Sequence, residues 1–430
     1  LGISLSTQVQ GAGFALIEQS ASGMGNAFAG GAASAQDAST VFFNPAGMMV
    51  LEQRIQAVFA GHGITPKFEF SNQGSTLADT YSGQLLTGQE PQNGAVNALV
   101  PNIYYVHGIN SNIKFGLGIN VPFGLAVKYD DNWMGRYHAV DTELETLNIN
   151  PSLAFKTSDN LSLGFGVSVQ TAKVTLSNVI DFGALIRQPQ QHDGFVEING
   201  DNNDDLSYGW NAGLLYELPS DTRFGLAYRS EIKHKLKGDA DFTVPGTVSS
   251  ITDSGLFTDS KVTADVTFPQ TLSLSAYHSY DALAVMADIT WTGWSAFQEL
   301  RIKYDNPAQP DSVTTEDWND TFRYALGVNY RTAPQWLLRG GIAYDETPVP
   351  TAQRRTARIP DNDRFWLSLG AGFQASKTLS VDFGYSHLFM DDAEINNEFE
   401  ANAPELRATL KGSYQSSVDV FSLQLNWNID

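Results

Sequence analysis

The chain has 430 residues, 17% of them charged and 11% aromatic, with 47 acidic against 26 basic side chains and a net charge of −21. That balance excludes a nucleic-acid binder, whose phosphates demand a basic surface. The lack of cysteine excludes a disulfide framework, a thiol nucleophile and a Cys-ligated metal. Mean hydropathy is only −0.20, and no apolar run approaches the ~18 residues of a membrane helix. A Gly- and aromatic-rich chain that is only moderately apolar suits strands with one face in oil and the other in water; a soluble all-β protein is the alternative.

Residues 1–50 stand apart. Leu1–Gln10 has neither the basic start nor the apolar core of a leader, which an exported chain would have lost. The stretch GMGNAFAGGAASAQDAST and the following FFNPAGMM lack alternation, which predicts a compact unit of short helices and turns. Asp37 or Ser39 is placed to cap a turn, and Asn44-Pro45 to initiate one.

From about Gln53 the pattern alternates to the end, so residues 51–430 form the second unit. In the last segment Phe421, Leu423, Leu425, Trp427 and Ile429 share one face, with Ser422, Gln424, Asn426 and Asn428 on the other. About fourteen such segments are predicted, long enough to cross a hydrocarbon layer when tilted. They lie near 53–71, 102–110, 113–125, 145–157, 161–178, 206–218, 222–239, 260–279, 282–304, 321–331, 336–347, 365–375, 379–391 and 408–429. Short turns such as 110–112, 158–160 and 219–221 alternate with long loops at 72–101, 126–144, 179–205, 240–259, 305–320, 348–364 and 392–407. An even strand count with short and long connections in turn predicts an all-β transmembrane antiparallel barrel. Tyr104, Tyr105, Trp291, Trp294, Trp336, Trp366 and Trp427 fall near strand ends, as interfacial girdles do; core aromatics are the alternative.

Three local features point to a site. The third segment, IKFGLGINVPFGLAV, holds Pro122, which cannot donate a ladder hydrogen bond, and Gly124; together they mark a bulge, a break or a strand end. Loops 179–205 and 240–259 carry Val179, Phe182, Leu185, Phe242 and Val244, a binding surface unless they pack on themselves. The apolar phase of 300–304 turns Leu300, Ile302 and Tyr304 toward lipid, and Arg301 and Lys303 inward beside Arg323; lumen salt bridges are their alternative role. No G-x-S-x-G elbow or H-E-x-x-H zinc motif occurs, and the seven histidines are scattered. No catalytic residue, metal site or cofactor is expected.

GMGNAFAG, FFNPAGM, VPNIYYV, DTELETLNINPSLAFK, WNAGLLYEL, YRSEIKHKLKG, TFRYALGVNY, DETPVP and IPDNDRFWLSLG together carry a resemblance over nearly the whole chain. With them the sequence resembles the FadL family of outer-membrane transporters for long-chain fatty acids and other hydrophobic compounds. The resemblance implies a fourteen-stranded barrel plugged by a small N-terminal hatch, with Asn44 and Pro45 as its anchor. It implies capture between the two apolar loops and an inner pocket reached by Phe14. It also implies lateral exit at a kinked third strand, where Gly124 falls. A fatty acid carboxylate would need a cation, for which Arg301, Lys303 and Arg323 are the candidates. The basic positions that the resemblance implies for this task fall near Leu176 and Thr314 here, which favours the alternative ligand, a neutral aromatic or aliphatic hydrocarbon. A polar-solute porin and a lipid-acting enzyme are the readings of another class. The expected setting is the bacterial outer membrane, with both termini periplasmic, a monomer, and lipid and lipopolysaccharide as neighbours.

Overall fold

The computed structural model describes residues 12–91 and 93–429; Leu1–Gln10 and both termini, with their expected placement, lie outside these. The first strand, Ile55–Asn72, pairs along its whole length with the last, Thr409–Ile429, from Ile55↔Ile429 to Asn72↔Gly412. That pairing closes 14 antiparallel strands into a barrel. Closure leaves no sheet edge, the condition for a sheet in lipid, where an unpaired backbone group has no water to bond. Alternation supplies the two surfaces. Phe421, Leu423, Leu425 and Trp427 are exposed outward, while Ser422, Gln424 and Asn426 are buried inward. No helix among the described residues is long and apolar enough to cross a membrane.

Several strands are broken. The third consists of Ile113–Asn120 and Gly124–Lys128, and the sixth of Asp193–Asp201 and Ser207–Leu218. The seventh (Thr222–Arg229, Ile232–Thr243), eighth (Ser260–Phe268, Thr271–Tyr280), ninth (Leu283–Thr292, Glu299–Tyr304) and tenth (Ser312–Thr315, Thr321–Ala333) follow suit. The seventh to tenth break at one level, since Arg229 pairs with Thr271, Thr271 with Thr292, and Thr292 with Thr321. On the short-turn side of that level the outward residues are Phe224, Leu226, Leu272 and Leu274. On the long-loop side they are Lys233, Lys235, Lys237 and Lys261. The hydrocarbon band therefore ends at the breaks, and the strands rise beyond it into water.

Two expectations are corrected here. The predicted loop 179–205 is partly strand: Val179 lies among the last residues of the fifth strand, Leu161–Asp181, and Asp193–Asp201 begins the sixth. Phe242 likewise lies on the seventh strand rather than in a loop. Of the expected girdle, Tyr104, Trp294 and Trp366 are fully buried. Trp366 lies on the inward phase of its strand, and Trp294 sits in the turn that breaks the ninth strand.

Residues 12–50 lie within the barrel wall as short turns of helix, Ala21–Met24, Gly31–Ser34, Thr40–Phe43 and the 3-10 segment Pro45–Val50. Such short helices end with unpaired carbonyls. Wall arginines meet them: Arg223 Nη1 donates to Ser34 O (2.8 Å), Arg229 Nη2 to Phe42 O (2.9 Å) and Arg323 Nη2 to Ala27 O (2.8 Å). A cation at a helix C-terminus also gains from the helix dipole. Asn44 Nδ2 donates to Ala32 O (2.6 Å) and, across to the wall, to Leu214 O (3.0 Å). Gly213 is what allows this approach: a Cβ there would lie 1.9 Å from Asn44 Oδ1.

Candidate binding site

Beyond the level of the breaks, on the long-loop side, the wall turns its apolar face inward and encloses a chamber of about 470 Å³. Val179, Leu185, Phe242, Ile302 and Tyr304 line it, and Phe182 and Val244 pack in the cluster behind them. A smaller chamber of about 70 Å³ follows, lined by Phe14, Leu144, Phe268 and Phe297. Leu176, Leu300 and Arg358 belong to the walls of both, so the two are separated by a single layer of side chains. Phe14 closes the far side. It packs edge-on against Phe268 (5.5 Å), Trp294 (4.7 Å) and Phe297 (5.5 Å). On its other side lies a third cavity of about 150 Å³, bounded by Leu16, Ile17, Pro122 and Phe123.

The third strand breaks beside Phe14. Asn120 pairs with Asn148 and Gly124 with Glu145, so residues 121–123 oppose only Thr146 and Leu147 on the fourth strand, Asp141–Ser158. That is one residue too many, a bulge. On the other flank, pairing with the second strand, Ala98–Asn110, stops at Ile103↔Ile119. Backbone from residues 14–16 takes up the freed groups: Leu16 N donates to Pro122 O (2.8 Å) and Gly124 N to Phe14 O (2.9 Å). Gln19 Nε2 donates to Val121 O (3.0 Å), and Asn102 Nδ2 to Glu18 O (2.9 Å). Pro122 and Gly124 thus sit at a wall discontinuity that residues 14–19 fill.

The orientation expected of Arg301 and Lys303 is reversed. Leu300, Ile302 and Tyr304 face the chamber. Arg301 pairs with Glu299 (2.7 Å) and Asp311 (3.3 Å), and Lys303 with Asp265 (3.5 Å), all partly exposed. The register did not slip, because odd residues point outward on both pieces of the ninth strand. Beyond the hydrocarbon band the outside is water and the inside is apolar, so the same alternation carries the opposite meaning. Arg323 does face inward, where it is buried over the Trp366 ring and bonded to Ala27.

The charges near the chambers were not singled out by sequence. Arg358 hangs from the loop between Trp336–Asp345 and Arg364–Gln374. Burial draws its pKa down to about 10, which leaves it cationic at neutral pH. Glu316, in the break of the tenth strand, lines the smaller chamber, and its Oε2 accepts from Trp318 Nε1 at 3.0 Å. Burial pushes its pKa up to about 8. His138 lines the larger chamber, and burial pushes its pKa down to about 4. The only available hint was an arginine just ahead of the IPDNDRF turn in a long loop; periodicity says nothing about where such a loop folds.

A closed barrel with a filled lumen, apolar chambers running down from its long loops and a wall discontinuity beside Phe14 at their end defines a transport protein of the outer membrane. The family model for the outer membrane protein transport proteins, OMPP1/FadL/TodX, matches residues 2–429, and the chain belongs to that family. The long-chain fatty acid transport protein of Escherichia coli O6:H1 is 33% identical over 408 residues, 89% of this chain and 88% of that one. Outer membrane protein P1 of Haemophilus influenzae is 30% identical, with 97% and 95% covered. The crystal structure of a Pseudomonas aeruginosa FadL homologue superposes with a TM-score of 0.90 at 29% identity, covering 97% of this chain and 100% of that one. The family is one of transport proteins, not of enzymes.

Proposed function

We propose that the protein takes up long-chain fatty acids across the outer membrane by passive diffusion. The observation that carries this is the run of two apolar chambers, divided by one layer of side chains, from the long loops to Phe14 and the broken third strand. A hydrophobic ligand is repelled by the polar outer leaflet but accepted by the bilayer core, so it needs a dry route past the first and an exit into the second. The long loops then face outward, and the short turns and both termini face the periplasm. The ligand is captured against Val179, Leu185 and Phe242, with Phe182 and Val244 as backing, and passes to the pocket at Phe14. Residues 1–50 act as the hatch, anchored through Asn44 and Pro45. Their movement at residues 14–19 opens the discontinuity at Pro122 and Gly124, and the ligand leaves sideways.

A straight descent is disfavoured by the short-turn end of the lumen, a cavity of about 510 Å³ lined by polar groups including Asp37, Gln56, Arg339, Asp382 and Asn426. Each buried CH₂ lost to such surroundings costs about 0.8 kcal/mol. The barrel is complete within one chain, so the route needs no second copy. The neutral residues Leu176 and Thr314 are the observation in favour of a hydrocarbon ligand. Uptake of labelled oleate and of a labelled hydrocarbon of equal length, by cells lacking their own transporter, separates the readings. Expression is expected to raise oleate uptake severalfold; a rise for the hydrocarbon alone would overturn the fatty-acid reading.

A further inference from the structure

Among the described residues, Arg358 is the one Arg or Lys in the walls of either apolar chamber. Its Nη1 donates to Asp141 O (3.2 Å) and Thr142 Oγ1 (2.8 Å), and its Nη2 to Asn178 Oδ1 (3.3 Å). All three acceptors are neutral. A guanidinium has five N–H groups. The one on Nε and the second on Nη2 therefore have no acceptor among the described residues. Three of the acids that line the chambers are engaged elsewhere. Asp181 accepts from the backbone of Ala184 and Gln190, and Glu400 from Arg354 and Thr315. Glu316 accepts from Trp318. The side chain is half-buried by accessible area, and the surface it keeps is chamber wall.

A cation held in an apolar wall with two donors to spare is costly unless an anion meets it. The pairs that place Arg301 and Lys303 on the wet outer face leave them no such role. We propose that Arg358 receives the head group of the ligand, a carboxylate held on its Nε and Nη2 donors, and so distinguishes an acid from a neutral chain of equal length. The inference rests on the fatty-acid reading above and gives it a recognition residue. Arginine suits the task because its planar fork matches two carboxylate oxygens at once. Its place in the layer shared by both chambers puts the head group at their junction, with the larger chamber free for the tail.

The test is a titration of oleate and methyl oleate against the full chain in lipid nanodiscs. The wild type is expected to prefer the acid. Arg358→Gln is expected to weaken oleate roughly 10- to 100-fold, the worth of a charge-assisted hydrogen bond, and to leave the ester unchanged. Ester binding doubles as the check that the chamber is intact. If Arg358→Gln keeps the wild-type preference for the acid, the assignment of Arg358 is wrong and the fatty-acid reading survives. If the wild type binds acid and ester alike, the fatty-acid reading fails and this inference falls with it. A second measurement needs no variant: the carboxyl of bound ¹³C-labelled oleate should titrate below that of the free acid. Titration at or above the free value would overturn the proposal.

Discussion

Glu316 shows what single residues contribute at the chamber. It is buried, and burial raises its pKa to about 8; Glu400 pushes the same way, while Arg358 and Arg354 oppose. His138, on the wall of the larger chamber, stays neutral because burial lowers its pKa to about 4. At neutral pH Glu316 is thus protonated and leaves the charge of Arg358 uncancelled. As pH rises through about 8, Glu316 ionises, competes for Arg358 and repels an incoming carboxylate. Oleate affinity should therefore fall across that interval, methyl oleate affinity should not, and Glu316→Gln should flatten the oleate curve. A wild-type affinity for oleate that stays level from neutral to alkaline pH would sink the idea. None of this was legible along the chain. Glu316 and Arg358 belong to a strand break and a long loop, where no period fixes direction, whereas Val179, Leu185 and Phe242 could be picked out as apolar groups in polar settings, and Phe14 only through the family resemblance.

At the scale of the element, the third strand is decisive. Its bulge exists because residues 121–123 answer to two residues of the fourth strand, and Pro122 cannot serve the ladder in any case. Deleting Pro122 would restore one-to-one pairing from Asn120 to Gly124 and let the second and third strands zip together. Ligand binding in the larger chamber should persist while uptake into cells is lost, with folding checked by heat-modifiable mobility. Uptake by the deletion variant at the wild-type rate would exclude this exit. Gly124 has a different part. A Cβ there would stand 3.1 Å from Leu16 Cδ1, so its smallness lets residues 14–16 lie against the break. Pro122 and Gly124 advertised an irregularity in the sequence. What fills it did not, because residues 14–16 and 122–124 are far apart in the chain.

At the scale of the whole molecule, residues 12–50 close the bore through many modest bonds rather than one large interface. Ala21 N donates to Gln424 and Ala32 N to Ser275, while arginines of the seventh and tenth strands bind hatch carbonyls. Asn44→Ala would strip acceptors Ala32 O and Leu214 O of their donor, a loss of about 1–3 kcal/mol. The wild type in planar bilayers should pass little steady current, and Asn44→Ala combined with Arg229→Ala should raise it in bursts as the hatch loosens. Large steady currents through the wild type would mean an open pore.

Alternation alone determined the barrel and the number of crossings, because a strand between oil and water must change character at every step. The same alternation could not say where the oil ends. Beyond the aligned breaks the wall stands in water outside and folds an apolar face inward, so Leu300, Ile302 and Tyr304 line a chamber that their pattern assigned to lipid. Only the closed sheet, which brings the loop with Arg358 over the strands with Leu176 and Leu300, decides which residues meet a ligand. A binding site gathers side chains from distant strands, and their distances are set by closure of the barrel rather than by spacing along the chain.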